Sequence, residues 1–251
     1  MILIQTANKN GVLIVDYKTP KEETNILKSF GFEIIKTSPN KAMYDAIDGH
    51  PDIQMTLIGN TLFVNQKISC EFLVSLENKN IHYKIGKKSL SLPYPSNIPF
   101  NSLVSDDLFI HKLDSTEPLV LEKANKLNLD LINVNQGYTR CSTAFVGKDS
   151  YITEDKSIAK KLASLNKNVF IKEPSNIYLR GFDHGFIGGA MSLITLNNEN
   201  IILITGDIDK YRFGNDLKSF LNNINIPYLS IGKGLVKDRG SVIQVKSEQD
   251  F

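Results

Sequence analysis

Three polar side chains alternate with apolar ones in the stretch YDAIDGHPDIQM, which spans residues 44–55. His50, Asp52 and Gln54 supply an imidazole, a carboxylate and an amide, groups that carry protons or bind a polar ligand by hydrogen bonds. The stretch leads into an apolar run and is interpreted as the start of a β-strand, in which every second residue points to the same face. The sequence therefore predicts that the three side chains share one face. That face points either to water or into a polar cavity that other parts of the chain help to line.

Other residues that can do chemistry also lie at the start of an apolar run. Cys141 lies within TRCST, and Asp183 and His184 come directly before GFIGGA. A cysteine thiolate is a strong nucleophile, and nearby positive charge favours that form of the side chain. Glycines such as those after His184 let a ligand come close to the main chain. Whether these residues act together depends on the strands and helices that position them.

The chain repeats one order of elements, in which a strand, a turn, a second strand, a helix and a third strand follow one another. This order is seen in residues 49–85, 97–134, 139–172 and 188–231. A fifth unit is divided between the chain ends, because residues 11–37 lack an opening strand and residues 239–245 read as an opening strand alone. If these two segments pair, every unit has a neighbour on both sides and the chain closes into a ring. The alternative is an open α/β sandwich whose elements merely alternate.

This order resembles the guanidino-group-modifying enzyme superfamily, also called the penteins, which are pseudosymmetric five-bladed α/β propellers. The resemblance implies one pentein-like domain over residues 1–251, with blades of strand, strand, helix and strand. The ring would be closed by the C-terminal strand pairing with the N-terminal blade. In penteins the opening strands start at a central cavity, where the catalytic residues lie. The corresponding starts here are residues 50–54, 97–101, 138–142, 183–187 and 238–241.

Pentein enzymes attack the central carbon of a guanidinium with a cysteine thiolate, while a histidine moves protons and carboxylates hold the N–H groups. The resemblance therefore implies a hydrolase or transferase of a guanidino or amidine compound. In it Cys141 is the nucleophile, and His50 or His184 is the general acid and base. The side chains expected to bind the substrate are Asp52, Asp183, Gln54, Arg140, Asn101 and Arg239.

The motifs are displaced from their usual blades, so the chain is identified as a divergent member. The last opening strand usually carries the cysteine, but this chain has Gly240 there, and Phe186 stands where a carboxylate usually follows the histidine. Instead, the Arg-Cys-Ser-Thr setting of Cys141 and the His-x-Asp pattern at His50 lie in earlier blades. The alternative is a non-catalytic ring that binds a small molecule or a protein, as the ribosome-binding initiation factor among the penteins does. In that case Cys141 is a small side chain that lines the core.

Neither a metal nor another cofactor is expected. His50, Asp52, Asp183 and His184 are residue types that bind zinc or manganese, but nothing in their spacing requires a metal. The plain alternative is that these polar groups satisfy one another in a wet channel. The chain also lacks the phosphate-binding, esterase and zinc-protease motifs, namely GxxxxGK[ST], GxSxG and HExxH.

Composition limits the partners and the compartment. With 251 residues, 41% of them hydrophobic, and a net charge of +2, the chain can bury a core and shows no bias towards nucleic acid or membranes. No apolar run approaches the roughly 20 residues of a membrane span, and Met1–Ile4 is too short for a signal peptide. Two cysteines provide no disulfide framework. We therefore expect a cytoplasmic protein with a small-molecule ligand in its central cavity. The sequence leaves the oligomeric state open.

Overall fold

The chain forms five small α/β units, each with one sheet of three strands. A computed structural model describes residues 10–245. The strands are β1 Val12–Val15, β2 Glu33–Lys36, β3 Met55–Ile58, β4 Thr61–Val64, β5 Tyr83–Ile85, β6 Leu103–Val104, β7 Leu108–His111, β8 Asp130–Asn133, β9 Thr143–Gly147, β10 Ser150–Thr153, β11 Asn168–Ile171, β12 Met191–Leu196, β13 Glu199–Thr205, β14 Tyr228–Ile231 and β15 Ile243–Val245. The helices are α1 Lys21–Ser29, α2 Pro51–Gln54, α3 Cys70–Glu77, α4 Pro118–Lys126, α5 Thr139–Ser142, α6 Lys156–Ser164 and α7 Gly214–Asn223, with short 3-10 turns at Leu113–Ser115, Gly188–Ala190 and Ile208–Lys210.

All five sheets have the same topology, which confirms the predicted repeat. The sheets are β3-β4-β5, β6-β7-β8, β9-β10-β11, β12-β13-β14 and β15-β1-β2. In each sheet the opening strand is antiparallel to the middle strand, and the middle strand is parallel to the third. A parallel pair needs a crossover connection, which the helix of each unit provides.

The fifth sheet joins the two ends of the chain, as the sequence predicts. Val12, Leu13 and Ile14 of β1 pair with Val245, Gln244 and Ile243 of β15. The sheets remain separate from one another, and no closed sheet forms within residues 10–245. The first four residues, considered above as a leader, lie outside the described part.

Apolar clusters connect the sheets in sequence, and one cluster connects the last sheet to the first. Val12 and Ile14 of β1 pack with Met55 and Leu62 of the sheet β3-β4-β5. The alternate residue Leu13 points the other way, into a cluster with the sheet β12-β13-β14. Three further clusters link the remaining sheets in pairs, following the order of the chain. Because strand residues alternate between faces, each middle strand contributes to two cores at once.

The helices begin where their sequence signals lie. In α6 the side chain of Asp155 accepts hydrogen bonds from the backbone N–H groups of Ser157 and Ile158, as expected of an N-cap. Ile158 and Leu162 are buried on the inner face of this helix, which confirms the helical spacing read from the sequence. Within residues 10–245 no helix is both long and apolar enough to cross a membrane.

One prediction about the strand starts is wrong. Residues 51–54 form the helical turn α2 rather than a strand, and β3 begins only at Met55. Pro51 at the first helical position favours this turn, because its fixed φ suits a helix and its missing N–H is not needed there. Helical rotation of about 100° per residue separates Asp52 from Gln54, so the three polar side chains of this stretch do not share one face. The turn α5 likewise precedes β9, and a 3-10 turn precedes β12.

Candidate active site

The turns before the opening strands meet in one buried polar layer, and Asn101 connects three of them. Its amide nitrogen Nδ2 donates to Sγ of Cys141 at 3.0 Å and to the backbone oxygen of Asp52 at 2.8 Å. Its Oδ1 accepts from the backbone N–H groups of Arg140 at 2.9 Å and Cys141 at 3.1 Å. Asn101 is fully buried, so these bonds fix the thiol and the carboxylate relative to each other.

Cys141 and Asp52 form a direct thiol–carboxylate contact. The Cys141 Sγ–H donates to Oδ1 of Asp52 at 3.3 Å, and both side chains are buried. Burial, followed by the charges of Asp52 and Asp238, raises the pKa of the Cys141 thiol well above its usual value. Burial also raises the pKa of Asp52 to about 6, and its Oδ2 has no hydrogen-bond partner among the described residues. Burial and the neighbouring carboxylates thus favour the neutral thiol of Cys141 over the thiolate that the resemblance implies.

Arg140 does not point its guanidinium at the sulfur. Nη1 donates to the backbone oxygen of Gly188 at 2.7 Å, and Nη2 donates to that of Met191 at 2.9 Å. Gly188 must be a glycine here, because a Cβ would lie 2.3 Å from the backbone oxygen of Arg140. Arg140 therefore fastens α5 to the start of β12.

His50 lies between two carboxylates. Its Nδ1 is 3.7 Å from Oδ1 of Asp238, and its Nε2 is 3.9 Å from Oδ2 of Asp16. The imidazole is buried, and Nδ1 has no hydrogen-bond partner in the described part of the chain. Asp238 is held by the backbone N–H groups of Phe186 at 2.9 Å and Gly240 at 3.0 Å. A side chain of a type that can carry a proton is thus buried between two carboxyl groups.

The structure explains why position 240, where the resemblance to the penteins implies a cysteine, is a glycine in this chain. Gly240 has a φ of +65°, and a Cβ built on it would lie 2.2 Å from Cβ of His50. The backbone passes directly over the imidazole there, so any side chain at position 240 would displace His50.

A cavity of about 320 Å³ opens onto this layer and is lined by all three residues predicted to be catalytic. Cys141, His50, His184 and Asp183 all line it, and so does Asp238. The other lining side chains are apolar or aromatic, namely Tyr44, Ile47, Ile53, Tyr138, Leu179, Phe182 and Phe186. Burial raises the pKa of Tyr138 to about 12, so this phenol stays neutral. The arrangement suits a small ligand with one polar end and an apolar body.

A second cavity, of about 250 Å³, is lined by Asp52 and Arg140 together with residues of the opening strands of all five sheets. The strand residues include Met55, Leu103, Phe145, Leu193 and Ile243. Asp52 thus contacts Cys141, which lines the first cavity, and itself lines the second.

Of the six side chains expected to bind the substrate, Asp183 alone lines the first cavity. Asp52 and Arg140 line the second, whereas Asn101, Gln54 and Arg239 line neither of the two. The amide of Gln54 donates to the backbone oxygens of Ser38 at 2.9 Å and Asp48 at 2.8 Å. Arg239 pairs with Glu23, at 3.1 Å between Nη2 and Oε1. Gln54 thus joins α2 to the loop that precedes it, and Arg239 joins the segment before β15 to α1.

No group of three or more His, Cys, Asp or Glu side chains within residues 10–245 is arranged to hold a metal ion.

Sequence reasoning missed other residues of the site. Asp238 was visible as part of the fifth strand start, whereas Asp16 follows β1 and carried no signal. The aromatic side chains Tyr138 and Phe186 were missed as cavity walls, because either could equally have been a core residue.

The model of a family of unknown function, DUF6873, matches residues 14–243. No curated protein matches the chain. Three solved structures are similar to it over most of its length. SxtG, an amidinotransferase of the saxitoxin pathway from Microseira wollei, has a TM-score of 0.57 and 9% identity, covering 96% of this chain and 95% of its own. The inosamine-phosphate amidinotransferase StrB1 from Streptomyces griseus has a TM-score of 0.56 and 11% identity, covering 99% and 98%.

A dimethylarginine dimethylaminohydrolase has a TM-score of 0.53 and 8% identity, covering 88% of this chain and 92% of its own. These three proteins are members of the pentein superfamily. At such low identity the similarity establishes the fold, and it confirms the resemblance seen in the repeat.

Proposed function

Since the chain belongs to the DUF6873 family, whose function is unknown, and has the pentein fold, we propose that it is a hydrolase or transferase of a guanidino or amidine compound. Cys141 is the nucleophile in this proposal, and His50 carries protons. The supporting observation is the convergence of a thiol, an imidazole and carboxylates on one cavity. These groups belong to different units of the fold, so their positions on one cavity cannot be a result of the packing inside one unit.

The Cys141–Asp52 contact supplies the first proton transfer. Asp52 accepts the hydrogen of Sγ, and the raised pKa of this carboxyl makes it a better base than an ordinary aspartate. A cationic ligand beside the sulfur favours the thiolate, because its positive charge offsets the effect of the Asp52 and Asp238 carboxylates. The sulfur then attacks the amidinium carbon and forms a C–S bond.

His50 serves the remaining steps. In its protonated form it gives a proton to the leaving nitrogen, the C–N bond breaks, and the amine departs. Water then attacks the same carbon while His50 takes one of its protons, and the C–S bond breaks. Asp52 returns its proton to the sulfur. The product that carries the attacked carbon releases the excess proton of the cationic substrate to solution, where the more basic amine takes it up. An amine in place of water gives group transfer instead of hydrolysis.

The proposal includes a ring of five blades forming one domain. Its support is the β1–β15 pairing and the cluster that joins the last sheet to the first. Such a ring brings all five opening strands to one axis, where the second cavity lies.

The second candidate is a binding protein without catalysis. The raised pKa of the Cys141 thiol and the glycine at position 240 favour it, because neither assists a nucleophile. In this case the cavity holds the same kind of cation, and Cys141 only lines it.

Turnover of a panel of guanidino compounds tests the proposal. The assay measures released amine or ammonia for the unmodified protein, Cys141→Ser and Cys70→Ser. Cys70 is exposed at the start of α3, so its substitution is the matched control. We expect Cys141→Ser to abolish turnover and Cys70→Ser to preserve it. Full activity of Cys141→Ser would contradict the role of Cys141 as nucleophile. Binding of a guanidino compound without turnover by the unmodified protein would favour the second candidate.

A further inference from the structure

The cavity wall beside the nucleophile is aromatic. The rings of Tyr138 and Phe186 are stacked, with centroids 6.1 Å apart and planes at 29°. His184 meets Phe186 edge-on, at 6.4 Å between centroids. Aromatic faces attract both cations and other rings. This wall therefore suits a flat cation and a flat apolar group next to it.

A second aromatic pair lies further out on the same cavity. Tyr44 and Phe182 meet edge-on at 6.5 Å, and they are 48% and 53% exposed. Large apolar side chains that remain exposed beside a cavity commonly mark a binding surface. An apolar substituent that extends from the reacting centre would cover this pair.

The charges of the cavity are acidic. Asp183 and Asp238 line it together with the two histidines, and no Lys or Arg is among the described residues of the lining. Arg140 and Arg239 are adjacent along the chain to the lining residues Cys141 and Asp238, but neither is part of the lining. Arg140 donates to backbone oxygens of Gly188 and Met191, and Arg239 pairs with Glu23. Arg180 pairs with Asp45 at 3.7 Å and is not part of the lining either. A carboxylate on the ligand would find no Lys or Arg side chain among the described lining residues and would face the like charges of Asp183 and Asp238.

We propose that the substrate is a guanidinium or amidinium cation with an arylalkyl substituent and no carboxylate. This inference rests on the proposed function and specifies its substrate class. The cation lies against Asp238 and Cys141, and the aryl group lies between the Tyr138–Phe186 wall and the outer pair. A volume of about 320 Å³ is near the lower end of ligand pockets, so it suits a substituent with a single ring.

Calorimetric titration of the Cys141→Ser variant tests the substrate class without turnover. The probes are 2-phenylethylguanidine, methylguanidine and arginine. We expect the phenylethyl compound to bind at least about tenfold more tightly than the other two, because its ring is buried on binding. Arginine binding as tightly as the phenylethyl compound overturns the substrate class and leaves the proposed function intact. If no guanidine binds to this variant or to the unmodified protein, the proposed function fails as well.

Two exposed aromatic side chains provide a matched pair of variants. Phe182 is 53% exposed and lines the cavity, whereas Tyr178 is 50% exposed and does not. We expect Phe182→Ala to weaken phenylethylguanidine by several fold and to leave methylguanidine unchanged. Tyr178→Ala should change neither affinity. Equal effects of the two substitutions would contradict the proposed position of the aryl group. Weaker arginine binding in an Arg180→Ala variant would contradict the absence of a carboxylate site.

Discussion

Removing the charge of Asp52 should lower the pKa of the Cys141 thiol, because among the charged groups Asp52 raises that pKa most. The Sγ–Oδ1 distance is 3.3 Å, and both the contact and the charge of Asp52 raise the pKa of the thiol. At about 4 Å and an effective dielectric constant of about 20, two unit charges interact by about 4 kcal/mol, equivalent to about 3 pKa units. Because the asparagine dipole and entering water offset part of this, we expect Asp52→Asn to lower the thiol pKa by about 1–3 units.

The ultraviolet absorbance of the thiolate, followed against pH in a Cys70→Ser background, measures this pKa without requiring a reagent to enter the cavity. The comparison is made at pH values well above the Asp52 pKa of about 6, where its carboxylate is ionised. Asp183→Asn is the control, because Asp183 lines the same cavity but is exposed and is not among the main charges that shift Cys141. An unchanged or higher thiol pKa in Asp52→Asn would refute the electrostatic account of the site.

Three further predictions concern stability. Gly240→Ala should lower the unfolding free energy by about 2–5 kcal/mol in urea titrations, because it combines a left-handed φ with a clash on His50. Gly234→Ala also has a positive φ but meets nothing within 4 Å, so an equal loss there would contradict the clash. Asn101→Ala should cost about 3 kcal/mol, since buried N–H groups lose their acceptor, and a change below about 1 kcal/mol would contradict its connecting role. Burial raises the pKa of Glu154 from 4.5 to about 8, so the folded state keeps a proton that the unfolded state releases. Unfolding free energy should therefore fall from about pH 5 to pH 8 by a few kcal/mol, and Glu154→Gln should flatten that slope. An unchanged slope in Glu154→Gln would contradict the assignment of this proton to Glu154.

The repeat of the fold could be predicted from the sequence because local patterns of apolar and turn residues indicate the elements of each unit. Each unit has two short apolar runs, a turn and an amphipathic helix, and these signals depend on neighbours in the chain. The pairing of residues 11–17 with residues 239–245 followed from counting, because one unit lacked its opening strand and the tail supplied one. The meeting of Cys141, His50 and His184 on one cavity then followed from the repeat.

The details of the site were not predictable in the same way. The alternation around His50 fits a strand and a helical turn equally well over four residues, and the signal from Pro51 was outweighed by the apolar run that follows. The orientation of Arg140 depends on backbone oxygens of another unit, which no local pattern contains. The raised pKa of the Cys141 thiol depends on burial and on carboxylates far away in the sequence.

The central claim is that Cys141 lies in a site built to receive an amidinium cation. Alkylation of the unmodified protein by 2-chloroacetamidine and by the neutral 2-chloroacetamide tests it directly, because the sulfur displaces chloride from both reagents and only the charge differs. Peptide mass spectrometry gives the two rates at Cys141 and, in the same sample, at the exposed Cys70. We predict that the cationic reagent is favoured at Cys141 by at least about tenfold more than at Cys70, since the acidic cavity attracts it and its charge favours the thiolate. The same preference at both cysteines would contradict the claim.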